Sequence, residues 1–494
     1  MSEQLPIAII GAGPVGLAAA AHLVERGQRF LGIEAGPGVG HAIRQWSHVR
    51  VFSPWSYNVD QAARRLLERT GWRHPGPEAL PTGGELVSQY LEPLALHPAL
   101  RPHIRLNAKV TAVGRRNYDK VKTVGRDDQS FALRVVVADG SEEELLARAV
   151  IDASGTWFAP NPLGSSGYHI PGERAAAGTI AYGIPDVLGA ERARYAGKTN
   201  LVVGSGHSAI NAVLDLVELS RAVLGTRVIW AVRRTDAATL YGGEAADALE
   251  ARGALGALAR QAVEAGDVDL VTAFQAQTVR SQPDGKLQLQ GTVHDSETTL
   301  LVDRIVVATG FRPDFSFLTE VRLGLDPWLE TTPKLSPMID PNLHSCGTVR
   351  PHGAAELAHP ETNFFIAGMK SYGRAPTFLL ATGYEQVRSI VAELVGDHAA
   401  AERVELRLPQ TGVCVTRPRG ATRASASLSA QPNAAIAPAM AGAAAAADCC
   451  GGPAPASADA CCVQDMEAKQ AGEAGCGCSS PTVEAAPQKA ACCN

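Results

Sequence analysis

A short apolar strand that runs straight into closely spaced glycines occurs twice in this chain, and no other feature of its 494 residues constrains the fold as much. The first copy reads Ile7-Ala8-Ile9-Ile10, then Gly11-Ala12-Gly13-Pro14-Val15-Gly16, an Ala/Leu-rich stretch to about Arg26, and Phe30 to Glu34. Strand, helix-period stretch and second strand predict a βαβ unit. The second copy reads Asn200-Leu201-Val202-Val203, then Gly204-Ser205-Gly206-His207-Ser208-Ala209, a helix to about Leu219 and a strand from Arg227 to Val232. Each copy continues through a hairpin signal, Asp139-Gly140 or Asp284-Gly285. Each then closes on an apolar strand, Ala149 to Gly155 or Arg304 to Gly310. A late strand, Asn363 to Gly368, and a helix from about Thr377 to Leu394 are expected to return to the first unit. The predicted fold class is α/β, with two Rossmann-like dinucleotide-binding domains, the second nested in the first.

The two turns differ in what they can hold. In the first, Gly11 permits a tight turn, Gly13 lets the backbone approach a pyrophosphate, Gly16 allows close helix packing, and the helix N-terminus supplies partial positive charge. Glu34 ends the next strand, where a carboxylate would accept ribose hydroxyls. An N-terminal copy followed by a second one implies FAD at the first. In the second turn Ala209 stands in the third glycine position, and the following strand ends in Arg233-Arg234 instead of an acid. Guanidinium groups bind a 2′-phosphate that a carboxylate would repel, which favours NADPH over NADH. The alternatives are an ordinary glycine turn and a solvated basic pair. On this basis residues 1–180 are the first part of an FAD domain, 181–308 an NADPH domain, and 309–408 the second part of the FAD domain. Ala35, Trp46, Val110, Ala153, Gly155, Ser208, Thr309, Gly310 and Gly368 complete the expected cofactor-binding set.

Charge and composition exclude other classes. The formal charge of -5 gives no electrostatic support to a nucleic-acid partner. Met1 to Pro6 shows no basic export signal, and the Ala-rich stretch Ala434 to Ala447, interrupted by Pro438, is too short to cross a bilayer. A soluble, cytoplasmic protein without a membrane partner is expected, and a homodimer is compatible with it. From Leu408 onward Ala, Ser, Pro and Gly dominate, and Tyr384 is the last aromatic. Such a stretch buries too little apolar surface to offset its ordering entropy, so residues 409–494 are expected to form a disordered tail.

Cysteine use is lopsided: none occurs before Cys346, Cys414 follows, and the other eight crowd the tail. Cys449-Cys450, Cys461-Cys462, Cys476-Gly477-Cys478 and Cys492-Cys493 are adjacent or one apart, unlike the spacing of a zinc knuckle. Clustered thiolates suit soft centres such as trivalent arsenic, antimony or Cu(I), and the bland alternative is low-complexity drift.

The motif Gly204-x-Gly206-x-Ser208-Ala209, the strand end Ala308-Thr309-Gly310, and Gly40 with Trp46 after the first ribose acid resemble the flavin-containing, or class B, monooxygenases over residues 1 to about 405. The resemblance implies an enzyme that reduces FAD with NADPH and passes one oxygen atom of O2 to a soft nitrogen or sulfur nucleophile. Where that family has a Phe-x-Gly-x-x-x-His fingerprint, this chain reads Ile180-Ala181-Tyr182-Gly183-Ile184-Pro185-Asp186. Disulfide reductases resemble the same two-domain body, but the redox cysteine pair that they keep beside the flavin has no counterpart here. Body and tail together resemble the flavin monooxygenases of bacterial arsenic-resistance operons, which implies oxidation of trivalent arsenicals or antimonite. A small organic amine or sulfide is the alternative substrate, and a metal-binding scavenger on a flavoprotein scaffold is the alternative class.

Catalytic residues are less legible, because the flavin carries the chemistry and the protein supplies position and electrostatics. Lys370 and Arg374, in the segment Ala367 to Arg374, are candidates to stabilise a reduced ring or are solvated loop charges. Asn58, after Ser53-Pro54-Trp55, lies roughly where the resemblance implies a flavin-side asparagine. His352, His359 and Cys346, in the loop before the last strand, are weaker candidates.

Overall fold

The computed structural model describes residues 5–237, 240–242, 249–343, 349–376 and 378–406. The expected tail 409–494 with its nine cysteines, and Cys346, lie outside the described residues.

Strand β1 (Ile7–Ile10) is buried on both faces, as a central parallel strand requires. The chain continues through β2 (Phe30–Ile33), β3 (Ile104–Arg105), a meander of β4 (Ala108–Arg115), β5 (Phe131–Val137) and β6 (Glu142–Ala147), and β7 (Ala149–Asp152). The second unit comprises β8 (Ile180–Tyr182), β9 (Thr199–Val203), β10 (Arg227–Ala231), β11 (Asp269–Val271), a meander of β12 (Phe274–Ser281), β13 (Leu287–Val293) and β14 (Ser296–Val302), and β15 (Arg304–Val307). Last comes β16 (Phe364–Ile366).

The two five-stranded sheets have the orders β16-β7-β1-β2-β3 and β8-β15-β9-β10-β11. They repeat one plan position by position. The paired strands of both are parallel, and both meanders carry a register shift, at Val110/Ala112 and at Ala276/Thr278. The edge strands differ: β8 precedes its sheet in the chain, whereas β16 arrives after the whole second unit. That difference nests the second unit inside the first, because β16 must return to pair with β7, with Phe364 opposite Val150.

The helix Pro14–Glu25 follows the first turn, with Pro14 at its start where a missing N–H is harmless. Ala18 to Ala21 are all buried, and such small side chains let the backbone lie close to its neighbours. The helix packs against Leu380–Leu394. That second helix starts at Leu380, later than expected, and its residues Ala381 to Ala392 are buried. His22 bonds to Asp60 at 3.1 Å, tying the first helix to the helix Gln61–Glu68. No helix among the described residues is long and apolar enough to cross a membrane.

Candidate functional site

The first turn is shaped by what a side chain would strike. At Gly11, with φ +98°, a Cβ would lie 2.7 Å from the Ala153 carbonyl oxygen at the end of β7, and at Gly16 it would lie 2.0 Å from the Gly11 carbonyl oxygen. Gly13 caps the helix Pro14–Glu25 in an extended conformation, and its missing side chain faces open space. The Glu34 carboxylate is fixed by two backbone donors, Ala12 N–H at 2.7 Å and Gly36 N–H at 2.8 Å. Bare N–H groups at a helix start, open space over Gly13 and a fixed carboxylate opposite are what a dinucleotide's phosphates and ribose need.

The second turn repeats this construction. Gly204 has φ +139°, and a Cβ there would lie 2.3 Å from the Ala308 carbonyl oxygen at the end of β15. Gly206 caps the helix His207–Ala222 and again faces open space. Ala209, in the position of Gly16, is fully buried, so the second turn accommodates a methyl group where the first has no room for one. The Trp230 indole N–H donates to the Gly204 carbonyl at 2.7 Å and pins the turn to β10. Arg233 and Arg234 follow β10 and are exposed, with Arg233 donating to the Ser165 carbonyl at 3.2 Å. Thr309 donates to the Asn161 carbonyl at 3.1 Å, and Gly310 has φ +92° beside the same asparagine.

A cavity of about 480 Å³ opens over the first turn and reaches the start of the second unit's helix. Gly11, Gly13, Glu34, Trp46, Asn58, Ala153, Gly155, Ser208 and Gly368 line it, whereas the side chains of Lys370 and Arg374 do not. Gly16, Ala35, Val110, Gly204, Gly206, Ala209, Arg233, Arg234, Thr309 and Gly310 lie outside the lining. Val110 is buried in the first meander, and Ala35 is exposed next to Glu34.

The cavity wall contains aromatic residues that sequence reasoning missed. Trp157 stacks on Phe311 with ring centroids 4.7 Å apart and meets Trp46 at 6.4 Å. His41 stacks on Phe158 at 5.6 Å, and Phe52 meets His207 at 5.3 Å across the two units. The Trp157 indole N–H donates to Gln45 Oε1 at 2.9 Å. A signal was available: Trp157 follows Gly155-Thr156 after the first closing strand, and Phe311 follows Gly310 after the second.

Of the three expected catalytic positions, Asn58 lines the cavity and the side chains of Lys370 and Arg374 do not. Asn58 is buried and lines the cavity, but its amide donates to the Ser53 and Pro54 carbonyls at 2.7 and 2.9 Å. Its oxygen accepts from the Ser53 hydroxyl at 3.1 Å. Both amide hydrogens therefore hold the cavity's own loop. Lys370 is neither a loop charge nor turned to the cavity: it is fully buried and pairs with Asp152 at 2.6 Å. Arg374 pairs with Glu330 at 2.9 Å on the outside. Neither charged group faces the cavity directly, and each is held by a carboxylate.

His352 is buried, with Nδ1 against the Arg350 carbonyl at 3.0 Å and Nε2 against the Gln386 amide nitrogen at 2.9 Å. Burial lowers its pKa below the ordinary histidine value, which keeps the ring neutral and suits Nδ1 as donor and Nε2 as acceptor. Gln386 in turn accepts from the Gly368 N–H at 2.8 Å, so this network holds the cavity-lining glycine from behind. Burial also lowers His359, to about 4. Neither histidine lines the cavity.

Comparison with known proteins agrees with this geometry. The family described as pyridine nucleotide-disulphide oxidoreductase matches residues 8–347. A ferredoxin–NADP reductase from Lactiplantibacillus plantarum is 26% identical over 319 residues, which is 64% of this chain and 75% of that protein. A bacillithiol disulfide reductase from Bacillus cereus superposes with a TM-score of 0.58 at 20% identity, over 79% of this chain and 99% of its own. The FAD-bound cadaverine monooxygenase of desferrioxamine biosynthesis from Erwinia amylovora superposes with a TM-score of 0.54 at 15% identity, over 83% of this chain and 99% of its own. At these identities the two solved structures show a shared fold.

Proposed function

The chain belongs to the pyridine nucleotide-disulphide oxidoreductase family and is an NAD(P)H-dependent flavoenzyme with FAD and NADP(H) as cofactors, and from that premise we propose that it is a monooxygenase of small soft nucleophiles. In this reading FAD sits at the first turn, held by Gly11, Gly13 and Glu34, and NADPH at the second, held by Gly206, Ser208 and the Arg233-Arg234 pair. The flavin supplies the oxygen-activating chemistry when bound. The overall reaction would consume one NADPH, one proton and one O2 for each substrate, and would release NADP+, one water and the substrate with one added oxygen atom. The protein's part is to orient both dinucleotides and to keep water out of the aromatic cavity.

One observation carries this choice over thiol relay: the chain has no cysteine before Cys346, so neither Gly-rich turn nor the strands around it can hold a redox pair. A disulfide reductase built on this body would need its thiols from elsewhere.

For the substrate we favour a trivalent arsenical or antimonite, captured by the clustered tail thiols. A lone pair on As(III) or Sb(III) is a soft nucleophile, so the chemistry is consistent. The second reading is an organic amine or sulfide, supported by the fold shared with the cadaverine monooxygenase. A third, a thiol-rich scavenger on a flavoprotein scaffold, predicts metalloid binding without turnover.

The deciding experiment is NADPH consumption by the full chain under air. Arsenite, methylarsenite or antimonite should accelerate it and yield a pentavalent product. No stimulation by any of the three, with stimulation by an amine or sulfide, would leave the monooxygenase and remove the metalloid. Deleting residues 409–494 should raise the apparent KM for the metalloid if the tail captures it, and an unchanged value would make the tail irrelevant to turnover.

A further inference from the structure

Lys370 reaches the first turn through a single intermediary. Its Nζ lies 2.6 Å from Asp152 Oδ2 and 3.2 Å from Ser154 Oγ. On its remaining side are the faces of Phe317 and Phe315, at 4.4 and 5.5 Å from the ring centroids. Asp152 and Lys370 are shut off from solvent, so the ammonium's charge acts through these neighbours and not through water. The other oxygen of the same carboxylate, Oδ1, accepts the Ser154 backbone N–H at 3.0 Å. Asp152 therefore fixes both the ammonium and the peptide that carries the hydroxyl.

Because Ser154 Oγ accepts from Lys370, its own O–H must point away from the ammonium. No acceptor for that hydrogen occurs among the described residues, and Ser154 lines the cavity beside Ala153 and Gly155, close to Gly11. A hydroxyl that accepts a charge-assisted hydrogen bond is polarised into a stronger donor. A dinucleotide is rich in acceptor oxygens that such a donor can meet.

We infer that Ser154 is a binding residue for the dinucleotide of the first turn, and that Lys370, held by Asp152, is its positioning residue. The lysine charge acts at the site through the serine hydroxyl. This rests on the reading above that FAD occupies the first turn.

The test is FAD titration of the full-length, deflavinated protein, followed by quenching of flavin fluorescence. Ser154→Ala should raise the Kd for FAD by about tenfold or more, the worth of one hydrogen bond to a charged partner. Ser154→Thr, which keeps the hydroxyl, should restore it to within about threefold, and the Kd for NADP+ should not move. In an Asp152→Asn/Lys370→Met background, Ser154→Ala should cost less than about threefold, because the donor it removes is no longer polarised.

An unchanged Kd in Ser154→Ala would overturn the binding role, whether or not the double background folds. An equal loss in both backgrounds would overturn the positioning role of Lys370. Gly13→Val separates these failures from failure of the site itself. If it leaves FAD affinity intact, FAD does not sit at the first turn; if it abolishes binding while Ser154→Ala does not, only the serine assignment falls.

Discussion

Lys370 Nζ and Asp152 Oδ2 meet at 2.6 Å, across 218 residues of sequence and with no solvent exposure on either side chain. They join the ends of neighbouring strands β7 and β16, so the pair fastens the returning segment to the first unit. Removing one partner of a buried pair leaves an uncompensated charge, whereas removing both does not. Lys370→Met should therefore destabilise the fold by roughly 3–5 kcal/mol. Asp152→Asn/Lys370→Met should recover most of that loss. Urea unfolding of the three proteins checks it, and a double variant no better than the single one would count against the pair's role.

Gly13 and Gly206 face open space at the starts of two different helices, so a side chain at either would occupy the approach of a different dinucleotide. Gly13→Val should purify without bound flavin. Gly206→Val should keep its flavin spectrum and show a strongly raised KM for NADPH. Identical behaviour of the two variants would contradict separate seats.

Arg233 and Arg234 are exposed at the end of β10, where a 2′-phosphate would meet two guanidinium groups. Replacing both with Ala should lower kcat/KM for NADPH by about 10–100-fold, the worth of lost charge-assisted bonds. The value for NADH should change by less than about threefold. Steady-state kinetics with the two cofactors decide this; equal losses for both would assign the pair another task.

His359 is held at about 4 by burial, against an ordinary value of 6.5. Between those values the unfolded chain takes up a proton that the folded chain refuses. Stability should therefore fall as pH drops from about 6.5 to about 4, by at most about 3 kcal/mol from this residue. His352, also lowered by burial, adds in the same direction. Urea midpoints at pH 7.5 and 4.5 should converge in a His359→Leu variant relative to the wild type, and an identical pH dependence in both would remove His359 from the acid response.

Trp157 stacks on Phe311 and bonds to Gln45, joining the two closing strands' loops at the cavity wall. Trp157→Ala should open that wall to water. NADPH oxidation without substrate, measured as peroxide release, should rise relative to substrate-coupled turnover. Unchanged coupling would show that the stack does not seal the site.

The features legible in the sequence are those set by neighbours in the chain. Gly11, Gly13 and Gly16 after an apolar strand can be read because turn geometry and helix starts depend on residues a few positions apart. The same local rule reveals the second turn, the Arg233-Arg234 pair and the hairpins, and so both nucleotide units. The nesting is legible in part, as a late strand at Phe364 that follows the whole second unit, and its pairing with β7 comes from the fold.

Only tertiary structure decided what the long-range contacts do with those parts. In the sequence Lys370 is either a ring-stabilising candidate or a loop charge, and only the docking of β16 beside β7 places Asp152 against it. Asn58 is a flavin-side candidate by resemblance, and only the folded loop shows that both of its amide hydrogens are held by the Ser53 and Pro54 carbonyls. The aromatic wall draws Trp46, Trp157 and Phe311 from segments more than a hundred residues apart, and no local period announces such a meeting. The sequence by itself determined that this chain binds two dinucleotides, because that depends on local backbone geometry. Which side chains then face the bound groups depends on strand order, which brings together residues that the sequence keeps apart.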